Sequence, residues 1–174
     1  PVGAPITRLQ SQKVGEKPPR LQTSAFLREG ECCTAPACHL ISNGSYTVFC
    51  TDTGANTSRL DKINLTLADF SASNAPAGVS FFLRSSRGEL FPLTGAPCCR
   101  AGGERSWRFM GDGAQWNETH SSFTAKLRLH VPEGERGELW EAEIAWRGAG
   151  KFQGELVCYL EPVLAPLVDY MAHP

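Results

Sequence analysis

Strict alternation of apolar and polar side chains over residues 123–131 constrains the fold more than any other feature of the chain. The apolar positions are Phe123, Ala125, Leu127, Leu129 and Val131, and the positions between them are polar. A period of two residues is what a β-strand with one buried and one solvated face requires. No window shows the sustained i, i+3, i+4, i+7 apolar spacing of an amphipathic helix. The sequence therefore predicts an all-β protein.

A second alternating segment, 139–146, is followed by a glycine-containing turn at 147–151 and a third segment at 152–160. Two glycines in the turn can adopt positive φ, as tight hairpin turns require. We therefore predict a β-hairpin over 139–160 and, with 123–131, three consecutive antiparallel strands. The residues predicted to form the core are Phe123, Leu127, Leu129, Trp140, Ile144, Leu156 and Leu160.

Shorter strand-like runs precede these segments, at 46–51, 62–67, 79–84 and 90–93. About seven short strands separated by glycine, proline, asparagine and serine are typical of an antiparallel β-sandwich, immunoglobulin-like or related. Residues 1–24 are predicted to form an extended, flexible arm, because their polar composition cannot bury a core. The sandwich is assigned to 25–162. A proline-rich tail, 163–174, either docks on the sandwich or leads into a further segment.

Seven cysteines suggest that disulfides staple this sandwich. They are Cys32, Cys33, Cys38, Cys50, Cys98, Cys99 and Cys158. We predict three intrachain bridges: one through Cys50 or Cys158, and others tying the Cys32–Cys38 segment to the 98–99 loop. An odd cysteine remains, which forms a covalent dimer if exposed. Zinc binding by the 32–39 cluster is disfavoured, because the usual C-x2-C spacing is missing.

Four of the five asparagines open an N-glycosylation sequon, namely Asn43, Asn56, Asn64 and Asn117. Such acceptors lie on the surface of chains that pass through a secretory compartment. We therefore expect all four on exposed turns or polar strand faces. The chain is predicted to be extracellular, either secreted or part of an ectodomain.

Composition and motifs argue against several functional classes. A net charge of −1 and a pI near 6.5 disfavour nucleic acid as a partner, since phosphate binding needs a basic surface. No apolar stretch is long enough to span a bilayer. There is no G-x-S-x-G nucleophile motif, and no nucleophile–base or carboxylate pair stands out. We therefore predict a protein that is not an enzyme and that uses no cofactor or metal.

The glycine-rich stretch between Cys99 and Asn117 is the best candidate for an exposed recognition loop, presenting Trp107, Arg108 and Trp116. The predicted function is receptor–ligand recognition of another extracellular protein. One alternative is a structural or assembly domain that associates through the odd cysteine or a sheet edge. A third hypothesis is a carbohydrate-binding or hydrolytic domain, with a glycan as the partner.

Overall fold

The computed structural model describes residues 26–31, 37–67, 78–95 and 103–172. These ranges contain short β-strands and a single one-and-a-half-turn helix. The elements are β1 (Phe26–Glu31), β2 (Cys38–Ser42), β3 (Tyr46–Thr51), β4 (Asn56–Leu60), β5 (Ile63–Thr66), β6 (Val79–Ser85), β7 (Leu90–Pro92), β8 (Glu104–Met110), β9 (Gly113–Thr119), β10 (Phe123–His130), β11 (Leu139–Trp146), β12 (Gly154–Leu160), β13 (Pro162–Ala165) and α1 (Leu167–Ala172). The prediction of an all-β protein is confirmed.

The strands form three antiparallel sheets. Sheet A has the order β1-β8-β9-β10-β11, sheet B the order β13-β5-β4-β3-β2, and sheet C the order β12-β6-β7. One face of sheet A packs against sheets B and C across a single hydrophobic core. Hydrogen bonds also cross between the layers, as when Trp116 Nε1 donates to the carbonyl of Thr51 at 3.0 Å. The architecture is therefore an antiparallel sandwich, as predicted.

Strand β10 lies between β9 and β11 and supplies part of the core side of sheet A. Its residues alternate between buried and half-exposed along its full length, and Phe123, Leu127 and Leu129 are at most 1% exposed. Leu127 lies between Trp116 of β9 and Ala142 of β11. The predicted inward face of this strand is confirmed, because a covered sheet face buries every second side chain.

Strand β11 follows the predicted register with less burial, as expected at the edge of sheet A. Trp140 and Ile144 are half-buried and pack on the core. The Trp140 ring stacks on Trp116 with 5.9 Å between centroids and meets Phe81 of sheet C at 5.2 Å. The connector 132–138 leads from β10 into β11, and these two strands pair antiparallel, as predicted.

The predicted hairpin over 139–160 is wrong. Strand β12 pairs with β6 of sheet C, with Cys158 opposite Phe81, whereas β11 pairs with β10. After Trp146 the chain leaves sheet A, and the amides of Arg147 and Gly148 donate to the carbonyl of Ser122. The 147–153 connection thus passes from one layer to the other instead of turning back in the same sheet.

This change of sheet also overturns part of the predicted core. Leu156 and Leu160 are each 48% exposed, and Cys158 is exposed as well. Their alternation defines two strand faces, but β12 lies at the edge of a three-stranded sheet where neither face is well covered. Alternation alone does not provide the layer that would bury these residues.

Beyond β12 the chain stays close to the sandwich. Strand β13 pairs with β5, joining Pro162 to Thr66 and Ala165 to Asn64 in sheet B. The short helix α1 follows Pro166, and proline is well tolerated where a helix begins. In the described part of the chain, no helix is long and apolar enough to cross a lipid bilayer.

Candidate functional site

The predicted recognition loop does not exist as an exposed loop. Trp107 and Trp116 lie on β8 and β9, are each 3% exposed and belong to the core. Arg108 faces solvent on the opposite side of β8 and pairs with Glu29 at 2.7 Å. The prediction of an aromatic recognition surface is therefore wrong. Apolar residues alternate at Trp107 and Phe109, a strand pattern that the surrounding glycines obscured.

The cysteines within the described ranges are free. Cys50 of β3 is fully buried, whereas Cys38 of β2 and Cys158 of β12 are exposed. Burial raises the pKa of the Cys50 thiol, with smaller contributions from Cys38 and Glu138. The predicted staple through Cys50 or Cys158 is not present, because both of these cysteines are free. The remaining cysteines, Cys32, Cys33, Cys98 and Cys99, lie outside the described residues, as does the 1–24 arm.

Two sequon asparagines are buried, so the prediction that all four are exposed is wrong. Asn56 is 2% and Asn64 8% exposed. The amide nitrogen of Asn56 donates to the carbonyls of Gly54 at 3.0 Å and Val79 at 2.8 Å, and its oxygen accepts from the Val79 amide. This side chain joins sheet B to sheet C by satisfying three backbone groups, and attaching a glycan would break those bonds.

The half-buried Asn43 also has a structural role, since its amide donates to the carbonyls of Pro132 and Glu135, both at 2.7 Å. Asn117 instead lies on the solvent side of β9 and is half-exposed. Glycosylation at these two positions stays a prediction.

The solvent side of sheet A is a polar surface, which we call the polar face. One row across its strands runs Ser106, Asn117, Lys126 and Glu143. Asn117 Nδ2 donates to Ser106 Oγ at 3.0 Å, and Lys126 Nζ donates to Glu143 at 3.0 Å. The next row runs Glu29, Arg108, Gln115, Arg128 and Glu141. Arg108 donates to Glu29 at 2.7 Å, and Arg128 donates to Gln115 at 3.1 Å and to Glu141 at 2.9 Å.

A shallow depression of about 150 Å³ lies beside the first row. We call it the sheet A depression. Its lining includes Thr119, Thr124 and Ala145, which form a cross-strand row of small side chains. The longer side chains of Asn117, Lys126 and Glu143 line it on the adjacent row. The hydrogen bond from Lys126 lowers the pKa of Glu143, which favours the charged form of this carboxylate.

A second polar cluster, which we call the Glu138 anchor, connects sheet A to sheet B. The Glu138 carboxylate accepts from Ser58 Oγ at 2.6 Å and from Trp140 Nε1 at 2.9 Å. Burial, followed by the charge of Glu138, raises the pKa of Tyr46 to about 12. Because donors occupy both carboxylate oxygens, the cluster is suited to hold β11 on the core rather than to transfer protons.

Exposed apolar residues gather on the last elements of the chain, which we call the β12 surface. They are Leu156 and Leu160 on one face of β12, together with Leu164 and Val168. These residues come from β12, β13 and α1, which follow one another directly in the chain. Monomeric proteins rarely leave extended apolar patches in contact with water, so such a surface indicates a contact site.

Comparison with known proteins gives one family. The model of the glycosyl hydrolase 94 supersandwich domain matches residues 23–174, which covers most of the chain. No curated protein matches it. This finding overturns the prediction of receptor–ligand recognition and points to a carbohydrate-related function; it does not confirm the immunoglobulin-like topology. Because the match extends over the whole sandwich, the chain belongs to the glycosyl hydrolase 94 supersandwich domain family.

Proposed function

We propose that this chain is a non-catalytic domain of a carbohydrate-active protein, and that it packs on a sugar-processing domain through the β12 surface. The family match supports the carbohydrate context. The observation that carries the packing role is the exposure of Leu156 and Leu160, each 48%, on a regular strand. When another surface covers the apolar side chains of such a strand, it removes them from water. This burial lowers the free energy and stabilises the contact.

Several features favour a partner at β12 rather than at the opposite edge of sheet C. Apolar exposure continues from β12 into Leu164 and Val168, whereas Leu90 of β7 is a single exposed leucine on a three-residue strand. An edge strand also offers unpaired backbone groups to a neighbouring domain. The β12 surface therefore combines apolar area with backbone hydrogen-bonding capacity.

The arrangement of carboxylates supports a non-catalytic role. Glycosidases that follow the common mechanism place two carboxyl groups on either side of the scissile bond, one as acid and one as nucleophile or base. On the polar face, Glu141 and Glu143 are each held by a cation, Arg128 and Lys126. Glu118 is buried against Arg105, with 2.5 Å between the charged groups. These glutamates are arranged as ion pairs that stabilise strands.

Association with a separately expressed catalytic domain of a glycosyl hydrolase 94 protein tests the packing role. Leu160→Lys should weaken binding by roughly tenfold or more, because it places a charge in an apolar contact. The matched control is Leu90→Lys, since Leu90 is 47% exposed and Leu160 is 48% exposed. Equal loss for both variants, or no association of the unmodified chain, would contradict the proposal.

Assays of glycoside cleavage test the non-catalytic role. The chain alone should release no sugar from neutral oligosaccharides above the buffer rate. Cleavage that disappears on substitution of a single carboxylate, in a variant with unchanged unfolding behaviour, would show that the chain is catalytic.

An extracellular location is a separate proposal that rests on the sequons. In a secretory host, Asn56 should carry no glycan in folded protein, because Asn56 is buried and hydrogen-bonded in the fold. Mass spectrometry of peptides after peptide-N-glycosidase treatment measures the occupancy of each site. Occupied Asn56 in folded protein would oppose this structural argument.

A further inference from the structure

We infer that the sheet A depression is a binding site for a single ring of a neutral sugar. This inference rests on the carbohydrate-related role proposed above and adds a ligand site that is separate from the β12 surface. A depression of about 150 Å³ is smaller than the pockets of about 300–1,000 Å³ that hold drug-sized ligands. It suits one ring of an oligosaccharide rather than an extended chain.

The chemistry of the lining matches vicinal hydroxyl groups. Lys126 Nζ has three N–H donors and uses one on Glu143, while the Asn117 amide has a second N–H besides the one donated to Ser106. Glu143 supplies carboxylate oxygens, and Thr119 and Thr124 supply hydroxyls that can donate or accept. Sugar hydroxyls also donate and accept, so a mixed set of groups can satisfy them from one side.

Strand spacing places these groups at useful separations. Asn117, Lys126 and Glu143 are cross-strand neighbours, as are Thr119, Thr124 and Ala145. Adjacent strands lie about 4.8 Å apart, so the two rows present a rigid grid of polar groups at roughly that interval. Because the Ala145 side chain is small, space remains at the edge strand β11, and a sugar ring can enter it.

The charges around the depression favour an uncharged ligand. Lys126 is neutralised by Glu143, and in the next row Arg108 and Arg128 are neutralised by Glu29 and Glu141. An anionic sugar would meet as many carboxylates as cations there, and its desolvation would not be offset. The tryptophans face the core, so no exposed stacking platform adds affinity. We therefore expect millimolar dissociation constants.

Nuclear magnetic resonance titration of the full chain with glucose, cellobiose and glucuronic acid tests the site. The neutral sugars should shift amide signals at 117–119, 124–126 and 143–145, and glucuronic acid should bind more weakly. Lys126→Met removes the ammonium donor and Ala145→Phe fills the depression, so each should weaken binding roughly tenfold or more. Unfolding curves of both variants establish that the fold is intact.

Arg84→Met is the matched control, because Arg84 and Glu155 form an exposed cross-strand ion pair of 2.9 Å in sheet C. It should change sugar affinity by less than about twofold. The inference is overturned by shifts confined to other strands, by an equal effect of Arg84→Met, by tighter binding of glucuronic acid, or by the absence of any shift. Loss of this site would leave association through β12 intact, and failure of that association would leave the sugar-induced shifts intact.

Discussion

Strands β11 and β12 have nearly the same length and a similar alternating pattern, yet their surroundings differ. On β11, Trp140 and Ile144 pack on the core while Glu141 and Glu143 face solvent. On β12, Val157 is half-buried and the other positions are exposed, including Leu156 and Leu160. Both strands are the outer members of their sheets. Edge position therefore does not explain the difference.

The two strands differ in what lies across the sandwich from them. Trp140 of β11 contacts Phe81 of sheet C, and the Glu138 anchor attaches the start of this strand to Ser58 of sheet B. On β12, by contrast, Leu156 and Leu160 are each 48% exposed. The comparison shows that an alternating sequence defines a strand face, whereas an opposing layer decides whether the face belongs to the core or to an interface.

The sharpest test of the comparison is truncation of one leucine in each environment. Leu127→Ala should lower the free energy of unfolding by about 2–5 kcal/mol, because Leu127 is 1% exposed and its removal leaves a cavity. Leu156→Ala should lower it by about 0.5 kcal/mol or less in the isolated chain, since 48% of that residue is already in water. Denaturant unfolding measures both values. A loss at Leu156 as large as that at Leu127 would mean that β12 is part of the core.

Removal of the Glu138 anchor should have the next largest effect. In Glu138→Ala, Ser58 Oγ and Trp140 Nε1 lose the carboxylate that accepts their hydrogen bonds. Ser58 is only 1% exposed, so water cannot readily replace this acceptor. Unsatisfied buried donors cost about 1–3 kcal/mol. Hydrogen exchange should show faster opening of β11 than of β10 in this variant. Unchanged exchange in β11 would show that stacking of Trp140 holds the strand without the anchor.

Alkaline pH should weaken the same region through Tyr46. Its pKa is raised from 10.0 to about 12, so ionisation is easier in the unfolded chain than in the fold. The contribution to stability is complete below pH 10 and falls as pH rises towards 12. A two-unit difference corresponds to roughly 3 kcal/mol when the group is well shielded. Tyr46→Phe should flatten this part of the pH profile, whereas an unchanged profile would assign the alkaline loss to other groups.

The smallest effect is expected on the polar face. Lys126→Ala should change the free energy of unfolding by no more than about 0.5 kcal/mol, because the Lys126–Glu143 pair is exposed and screened by solvent. The neighbouring Leu127 provides the contrast within one strand. Similar losses at 126 and 127 would refute the assigned faces of β10. A small stability loss combined with weakened sugar binding would separate the ligand role of Lys126 from its structural one.

Local patterns predicted the parts of the fold that depend on near neighbours. The alternation of β10 gave the inward positions of Phe123, Leu127 and Leu129, and that of β11 gave Trp140 and Ile144. The sheet A depression could not be predicted, because it combines residues from β9, β10 and β11 whose adjacency requires the strand order. The burial of Trp107 was missed because glycines on either side suggested a loop.

The sequence by itself determined that the chain is built from antiparallel strands with defined faces, because a period of two residues is a property of the local backbone. Tertiary structure decided which partner each strand has and which faces are covered. It placed Cys158 opposite Phe81 in sheet C, buried Asn56 against Gly54 and Val79, and left Leu156 and Leu160 exposed. These outcomes depend on contacts between distant segments, and a local alternation carries no information about which distant surface will cover it.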